Sequence, residues 1–358
     1  LTNHGFLNYK EKRFKIFIMK YFQGGGEMVR WLLLVLSLMF WVFKISANAV
    51  DLTYANFFPP QDVHSKLAEA WMKEIEKRTN GAVKFTYFPG GATLKANQIY
   101  EGVMKGVADI GMSCFAYTPG LFPAMEAIDL PLGYKSGRMA TWVINEYYKT
   151  VKPKELEAVK VLYLHAHGPG LLHSKKLVQK LEDVKGLKIR STGVSAKIAK
   201  ALGGIGMPLA QTEAYEALQK GVVDATLSPY QVLKGWKQAE VIKYTVECYG
   251  VGYTTGFFVV MNKSKWEALP PEVKKVFEQV SQEWIVKHAQ AWDDGDKEGK
   301  EYSLSLGNKV ITLSPEEDKR WAEAVKPVVD EYINTVSQKG LPGKQWVDTV
   351  RKLMAQFK

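Results

Sequence analysis

The stretch YEGVMKGVADIGMS, Tyr100 to Ser113, returns 115 residues later as YEALQKGVVDATLS, Tyr215 to Ser228, with seven of fourteen positions identical. Most of the remaining positions exchange one apolar residue for another, and the chain shows little other self-similarity. Each copy reads as a helix, then a glycine (Gly106, Gly221) suited to the left-handed turn that ends a helix, then an apolar run fit for a buried strand. Asp109 and Asp224 stand near the start of each strand, where a carboxylate can accept hydrogen bonds from turn amides. Ligands of open α/β sheets bind beyond the carboxyl ends of strands. Two such ends facing one another form a cleft lined by residues 113–117 and 228–231, and each lobe of that cleft needs its own copy of the unit.

The surrounding sequence supports this. DLTYANFF (51–58) is a β-rich run, and apolar residues at Leu67, Trp71 and Ile75 keep helical spacing up to Asn80-Gly81. AVKFTYFP (82–89) alternates as a strand, so the rhythm up to Leu132 is β-α-β-α-β. The second half repeats it: GLKIRSTG as strand and turn, VSAKIAKALGG as helix, IGMPLAQ as strand, then a helix capped by Thr212. The fold class is therefore α/β, with two mixed, mostly parallel sheets. Further on, Val273, Val276, Phe277, Val280 and Trp284 share one helical face. SPEED (314–318) is a capping box whose helix Pro327 is expected to interrupt.

Positions 28–49 carry Arg30, an apolar run from Trp31 to Phe43 and Ala47-x-Ala49, the three parts of a cleavable secretory signal. Cleavage is expected after Ala49, giving a periplasmic protein, and translation is expected to start at Met28, with 1–27 an upstream artefact. The full 358 residues have a net charge of +11 from 48 basic and 37 acidic residues. Residues 1–49 hold seven of the basic and two of the acidic ones, so the remainder carries 41 against 35, a net of +6. Those charges are interspersed, which argues against a nucleic-acid partner and suits a protein that handles a small anion. About 300 residues exceed one typical core and point to two lobes. Cys114 and Cys248 are too few for a disulfide framework and read as buried thiols.

Arg190 is the foremost candidate for chemistry. It closes the strand LKI, and Ser191-Thr192-Gly193 lead into a helix, so a forked guanidinium meets free amides and the positive end of a helix dipole. A carboxylate suits that place. His165 and His167 alternate on one strand and His173 follows, but the spacing matches no metal motif, so no metal and no cofactor is expected. LGGIGMP follows a helix instead of opening one, which excludes a dinucleotide loop. No nucleophile–base pair, Walker loop or zinc motif is present, so the chain is not expected to be an enzyme. Phe57, Phe58, Phe115, Tyr117, Tyr134, Tyr230, Trp236, Tyr253 and Phe257 cluster at predicted strand ends and turns. Those beside Ser113 and Ser228, notably Phe115, Tyr117 and Tyr230, are candidates for a ligand wall.

KRTNGAVKFTYFPGG, YEGVMKGVADIGMS, IDLPLGY, DVKGLKIRSTG, YEALQKGVVDA and FFVVMNKSKWEALPPEV, in this order, resemble the solute-binding proteins of tripartite ATP-independent periplasmic (TRAP) transporters, the DctP family, over essentially all of 50–358. The resemblance implies a two-lobed periplasmic binding protein of type II-like form, with a double-crossed hinge, a long helix spanning both lobes, and closure around an organic acid. The lobes are expected at 50–167 plus 254–290 and at 168–253 plus 291–358. A monomer is expected to dock on the small and large membrane subunits of a sodium-driven permease. By the same resemblance Arg190 holds the carboxylate, and Phe57, Ser113, Cys114, Gln211 and Ser228 line the pocket. Many members carry a second arginine in a G-x-R turn, whereas this chain has Gly168-Pro169-Gly170, with Gly170 at that place. The expected ligand is therefore a monocarboxylate with an apolar or aromatic body. A protein presenting its ligand to a membrane receptor, or an enzyme on the same fold, is the alternative.

Overall fold

The computed structural model describes residues 49–358, so the expected leader, Ala49 apart, and the stretch before it lie outside the described residues. Eleven strands are found there: β1 (Val50–Asn56), β2 (Val83–Phe88), β3 (Ile110–Cys114), β4 (Val159–Ala166), β5 (Leu171–Ser174), β6 (Lys188–Ser191), β7 (Ile205–Pro208), β8 (Ala225–Ser228), β9 (Tyr244–Glu247), β10 (Gly256–Asn262) and β11 (Lys309–Thr312). They form two sheets, in the orders β2-β1-β3-β10-β4 and β11-β9-β5-β8-β6-β7. Read from its other edge, the second sheet repeats the first and adds β11. β3 lies between parallel β1 and antiparallel β10, and β8 between parallel β6 and antiparallel β5.

The duplicated unit is the same device in both sheets. Helix Ile99–Met104 ends with Gly106 N–H donating to Val103 O and Val107 N–H to Gly102 O. Helix Gln211–Gln219 ends with Gly221 N–H donating to Leu218 O and Val222 N–H to Ala217 O, the identical pattern. Both glycines are left-handed, at φ 75° and 71°. Asp109 and Asp224 accept from the neighbouring parallel strand instead of from a turn. Asp109 Oδ2 takes the Thr53 amide and hydroxyl, each at 2.8 Å, and Asp224 Oδ2 takes the Lys188 amide at 3.0 Å.

The antiparallel strands make the hinge. The chain leaves the first lobe after β4 and enters the second at β5, then returns from β9 to β10. The two crossings are tied by the Gly170 amide on Tyr253 O at 2.9 Å. Helix Pro271–Ser305, 35 residues long, buries Val273, Phe277, Val280 and Trp284 on the first lobe and then runs past helix Gln231–Gly235 of the second. Among the described residues no helix is long and apolar enough to cross a membrane.

Three local expectations change. The residue capping helix Gln211–Gln219 is Ala210, not Thr212, because Ala210 takes the extended conformation and its amide donates back to Glu213 at 3.0 Å. Helix Pro315–Ser337 continues past Pro327, which removes one hydrogen bond without ending it. Helix Gly343–Gln356, in the stretch that the sequence reading groups with the second lobe, packs on helix Gly137–Val151 of the first. There it buries Trp346, Val347, Val350 and Leu353, and Phe357 meets Trp142 at 5.8 Å. Cys114 and Cys248 are both free and buried.

Because added methyl groups at Gly106 and Gly221 meet nothing closer than 3.8 Å, their cost is conformational alone. Gly106→Ala and Gly221→Ala should each lower stability by about 1 kcal/mol in chemical denaturation, measured from the midpoint at unchanged slope.

Candidate functional site

The carboxyl ends of β3 and β8 face one cavity between the lobes, to which Cys114 and Ser228 contribute. Arg190 comes from the end of β6, where alternation turns its side chain inward, and only 4% of the residue is exposed. Its Nε donates to Leu209 O at 3.0 Å, which orients the fork and leaves both terminal nitrogens for another partner. No Asp or Glu forms an ion pair with Arg190 among the described residues. Gln211, at the start of its helix, also lines the cavity, and its buried Nε2 has no hydrogen-bond partner. Two sets of N–H donors thus stand unpaired at one end. The amide of Thr192, expected free, is taken by Ser195 Oγ at 2.8 Å.

The rest of the wall is aromatic. From the first lobe come Phe57 and Phe58 just after β1, Tyr117 after β3 and Phe257 in β10; from the second comes Trp236. Phe57 lies nearly parallel to Phe257, at 6.3 Å and 5°, and to Trp236, at 6.1 Å and 18°. Tyr253 from the hinge and Trp292 from the spanning helix close the cavity. Gly170 is covered by the Tyr253 ring, which a side chain at 170 would overlap, so aromatic surface fills the place a second arginine would start from.

Of the expected site residues, Arg190, Phe57, Cys114, Tyr117, Gln211 and Ser228 are brought together around the cavity. Ser113 is not: its hydroxyl donates to Ala96 O at 2.7 Å. Phe115 packs into the first lobe against Phe122 and Phe258, at 4.9 and 5.2 Å. Tyr230 turns away to donate to Glu247 at 3.1 Å, and Gly170 contributes only the room for Tyr253. Trp292, His167 and Thr255 also line the cavity and were not singled out as site residues. Trp292 carries no local signal, since a helical tryptophan reads equally well as core.

The lobes touch across the cleft. The Gln211 amide donates to Tyr117 Oη at 3.1 Å, and Gln231 Nε2 to Asp62 Oδ2 at 2.8 Å. Gln231 also donates its amide to Asp296 on the spanning helix at 2.9 Å. Burial pushes Asp62 up to about 6 and Asp296 up to about 8.

The histidine cluster of the first lobe is His64, His165 and His288, whose ring nitrogens lie within 4.8 Å of one another. It differs from the His165, His167 and His173 grouping suggested by chain order. Its nitrogens are largely committed: His64 Nδ1 meets His288 Nδ1 at 2.9 Å, His165 Nδ1 accepts from Trp292 Nε1 at 3.0 Å, and His288 Nε2 meets the Tyr163 hydroxyl at 3.3 Å. Burial holds all three rings well below the usual range, hence neutral. Among the described residues His64 Nε2 is buried without a partner, while the other ring nitrogens are engaged and would have to give up those contacts for all three rings to hold a metal ion; the group packs beneath Trp292.

A two-lobed α/β scaffold with an unpaired cationic fork in an aromatic interlobe cavity defines a binding protein for a small organic anion. The sequence matches the family described as bacterial extracellular solute-binding protein, family 7 (DctP), over residues 54–335, and the chain belongs to it. A TRAP solute-binding protein from Rhodoferax ferrireducens T118, solved with copurified benzoate, is 28% identical with TM-score 0.80 over 86% of this chain and 98% of that one. A marine-metagenome TRAP solute-binding protein specific for aromatic acid ligands is 30% identical with TM-score 0.80 over 87% and 99%. The C4-dicarboxylate-binding periplasmic protein DctP of Rhodobacter capsulatus is 27% identical, covering 81% of this chain and 88% of the relative.

Asp296 gives a pH test. Its carboxyl keeps, in the folded protein, a proton that the unfolded chain releases above the ordinary value of 3.8. The folded state therefore binds more protons between pH 4 and about 8, so stability is greatest at the acid end and falls as pH rises through that window. The buried neutral histidines tilt stability the other way below about pH 6.5, so the test is a difference: thermal unfolding midpoints of the wild type, read relative to those of Asp296→Asn, which never ionises, should decline from pH 5 to pH 8.

Proposed function

We propose that this protein captures an aromatic monocarboxylate in the interlobe cavity and delivers it to a sodium-driven TRAP permease of small and large membrane subunits, acting as an exported periplasmic monomer. The observation that carries this is Arg190: a guanidinium out of water, without a carboxylate of its own, among aromatic rings. An unpaired buried charge is costly, and a ligand carboxylate removes the cost by taking the two terminal nitrogens, with Gln211 Nε2 free to complete its shell. Phe57, Phe257, Trp236 and Trp292 then pack the body of the ligand, which fits a flat ring.

The relatives named above divide between aromatic acids and C4-dicarboxylates. The cavity favours the former. A second carboxylate needs a second cation, yet Tyr253 covers Gly170 and no lysine among the described residues lines the cavity. His167 does line it, but burial and then the nearby Arg190 lower it to about 4, so it is neutral at physiological pH.

Protein purified from an exporting host, denatured and searched by mass spectrometry, should release a stoichiometric aromatic monocarboxylate. By calorimetry, Arg190→Ala should cost about 2–5 kcal/mol of binding, the range for orphaning one partner of a buried charge pair. Arg190→Lys should also weaken it, since an ammonium cannot form the same fork. Retained affinity in Arg190→Ala, or release of a dicarboxylate, would overturn the reading.

A further inference from the structure

His167 stands just past β4, buried, in the wall of the cavity. Its Nδ1 lies against the carbonyl oxygen of Gly168. A carbonyl can only accept, so Nδ1 carries the proton. The ring is neutral, which leaves Nε2 a bare lone pair, and no protein group donates to it among the described residues. Around the imidazole stand Tyr253 edge-on at 5.7 Å, Trp292 at 6.0 Å and Phe257 at 6.3 Å, all of them walls of the same cavity. The backbone oxygen of His167 is itself held by the Thr254 hydroxyl at 2.6 Å, so the residue is fixed at both ends.

The cavity therefore has donors from Arg190 and Gln211, and two acceptors without a protein donor among the described residues, His167 Nε2 and the buried Oε1 of Gln231. A carboxylate oxygen cannot use the His167 acceptor, because it would set lone pair against lone pair. An unsubstituted ring offers only C–H. An O–H group satisfies it.

We propose that His167 is a specificity-determining residue, whose Nε2 accepts a hydrogen bond from a hydroxyl on the ligand, so that the substrate class is hydroxylated aromatic monocarboxylates. This rests on the aromatic-carboxylate reading above and narrows it. A ligand without the hydroxyl leaves this acceptor without that partner, which makes discrimination of about tenfold the expected scale.

Calorimetry with benzoate, 3-hydroxybenzoate and 4-hydroxybenzoate tests this on the wild-type protein and on His167→Phe. The wild type should bind at least one hydroxylated acid about tenfold tighter than benzoate. His167→Phe should lose that preference, and its thermal unfolding midpoint, measured without ligand, reports that the variant is folded. Independently of any variant, the ¹⁵N resonance of His167 Nε2 should move on adding the preferred hydroxylated acid and not on adding benzoate. Equal affinities in the wild type, a preference that survives in His167→Phe, or a resonance that responds alike to both ligands would overturn the assignment and leave the aromatic-carboxylate reading standing. Failure of all three acids to bind the wild type would instead overturn that reading, and this inference with it.

Discussion

The cleft is organised around a charge that the protein does not itself neutralise. Removing a guanidinium from water costs several kcal/mol, and proteins ordinarily recover this with a carboxylate close by. Among the described residues Arg190 has only the Leu209 carbonyl on Nε, which aims the fork without cancelling its charge. On the proposed function the compensating anion is the ligand, and closing the lobes around it would strengthen the contact by excluding water, so that the ligand would shift the balance toward the closed form. The lobe-to-lobe bonds of Tyr117 with Gln211 and of Gln231 with Asp62 are neutral or single hydrogen bonds, each worth little alone. A closed state held by such bonds plus the ligand's charge can reopen when the ligand leaves.

The architecture supplies that charge and its surroundings from both sides at once. Two copies of one helix–glycine–strand unit place β3 and β8 at matching positions, so their carboxyl ends meet across the cleft. The spanning helix adds Trp292, braced from behind by His165 and its neutral histidine partners. Those histidines lie close in space because the helix running from Pro271 brings His288 beside His64 and β4, over 200 residues after His64 in the chain. Their neutrality follows from burial, so they stiffen the wall without adding a second cation to the site.

Much of this was legible in the chain. Gly106 and Gly221 mark their turns because few other residues tolerate a positive φ, and that rule is local. Arg190 stood out because a cation closing an apolar strand and preceding a helix is unusual wherever it occurs. Cys114, Tyr117, Gln211 and Ser228 could be expected at the cavity because strand ends and helix starts face a cleft. Ser113 and Phe115 were misplaced for a related reason. In a strand and the turn after it, neighbouring side chains point to opposite sides, so Cys114 reaches the cavity while the residues on either side enter the lobe. Thr212 and Pro327 show the converse, where the hydrogen bonds available nearby overrode a local preference.

By itself the sequence determined which segments become helix or strand, where the duplicated turns fall, and that a lone arginine would sit at a strand end. Periodicity, glycine geometry and strand alternation act over a few residues and are written there. Only the tertiary structure decided that Tyr253 covers Gly170, that Trp292 lines the cavity, and that His167 joins that wall with its Nδ1 against the Gly168 carbonyl. Each depends on groups that meet across the hinge or the long helix, where through-space contacts set which atoms are paired and which are left for a ligand.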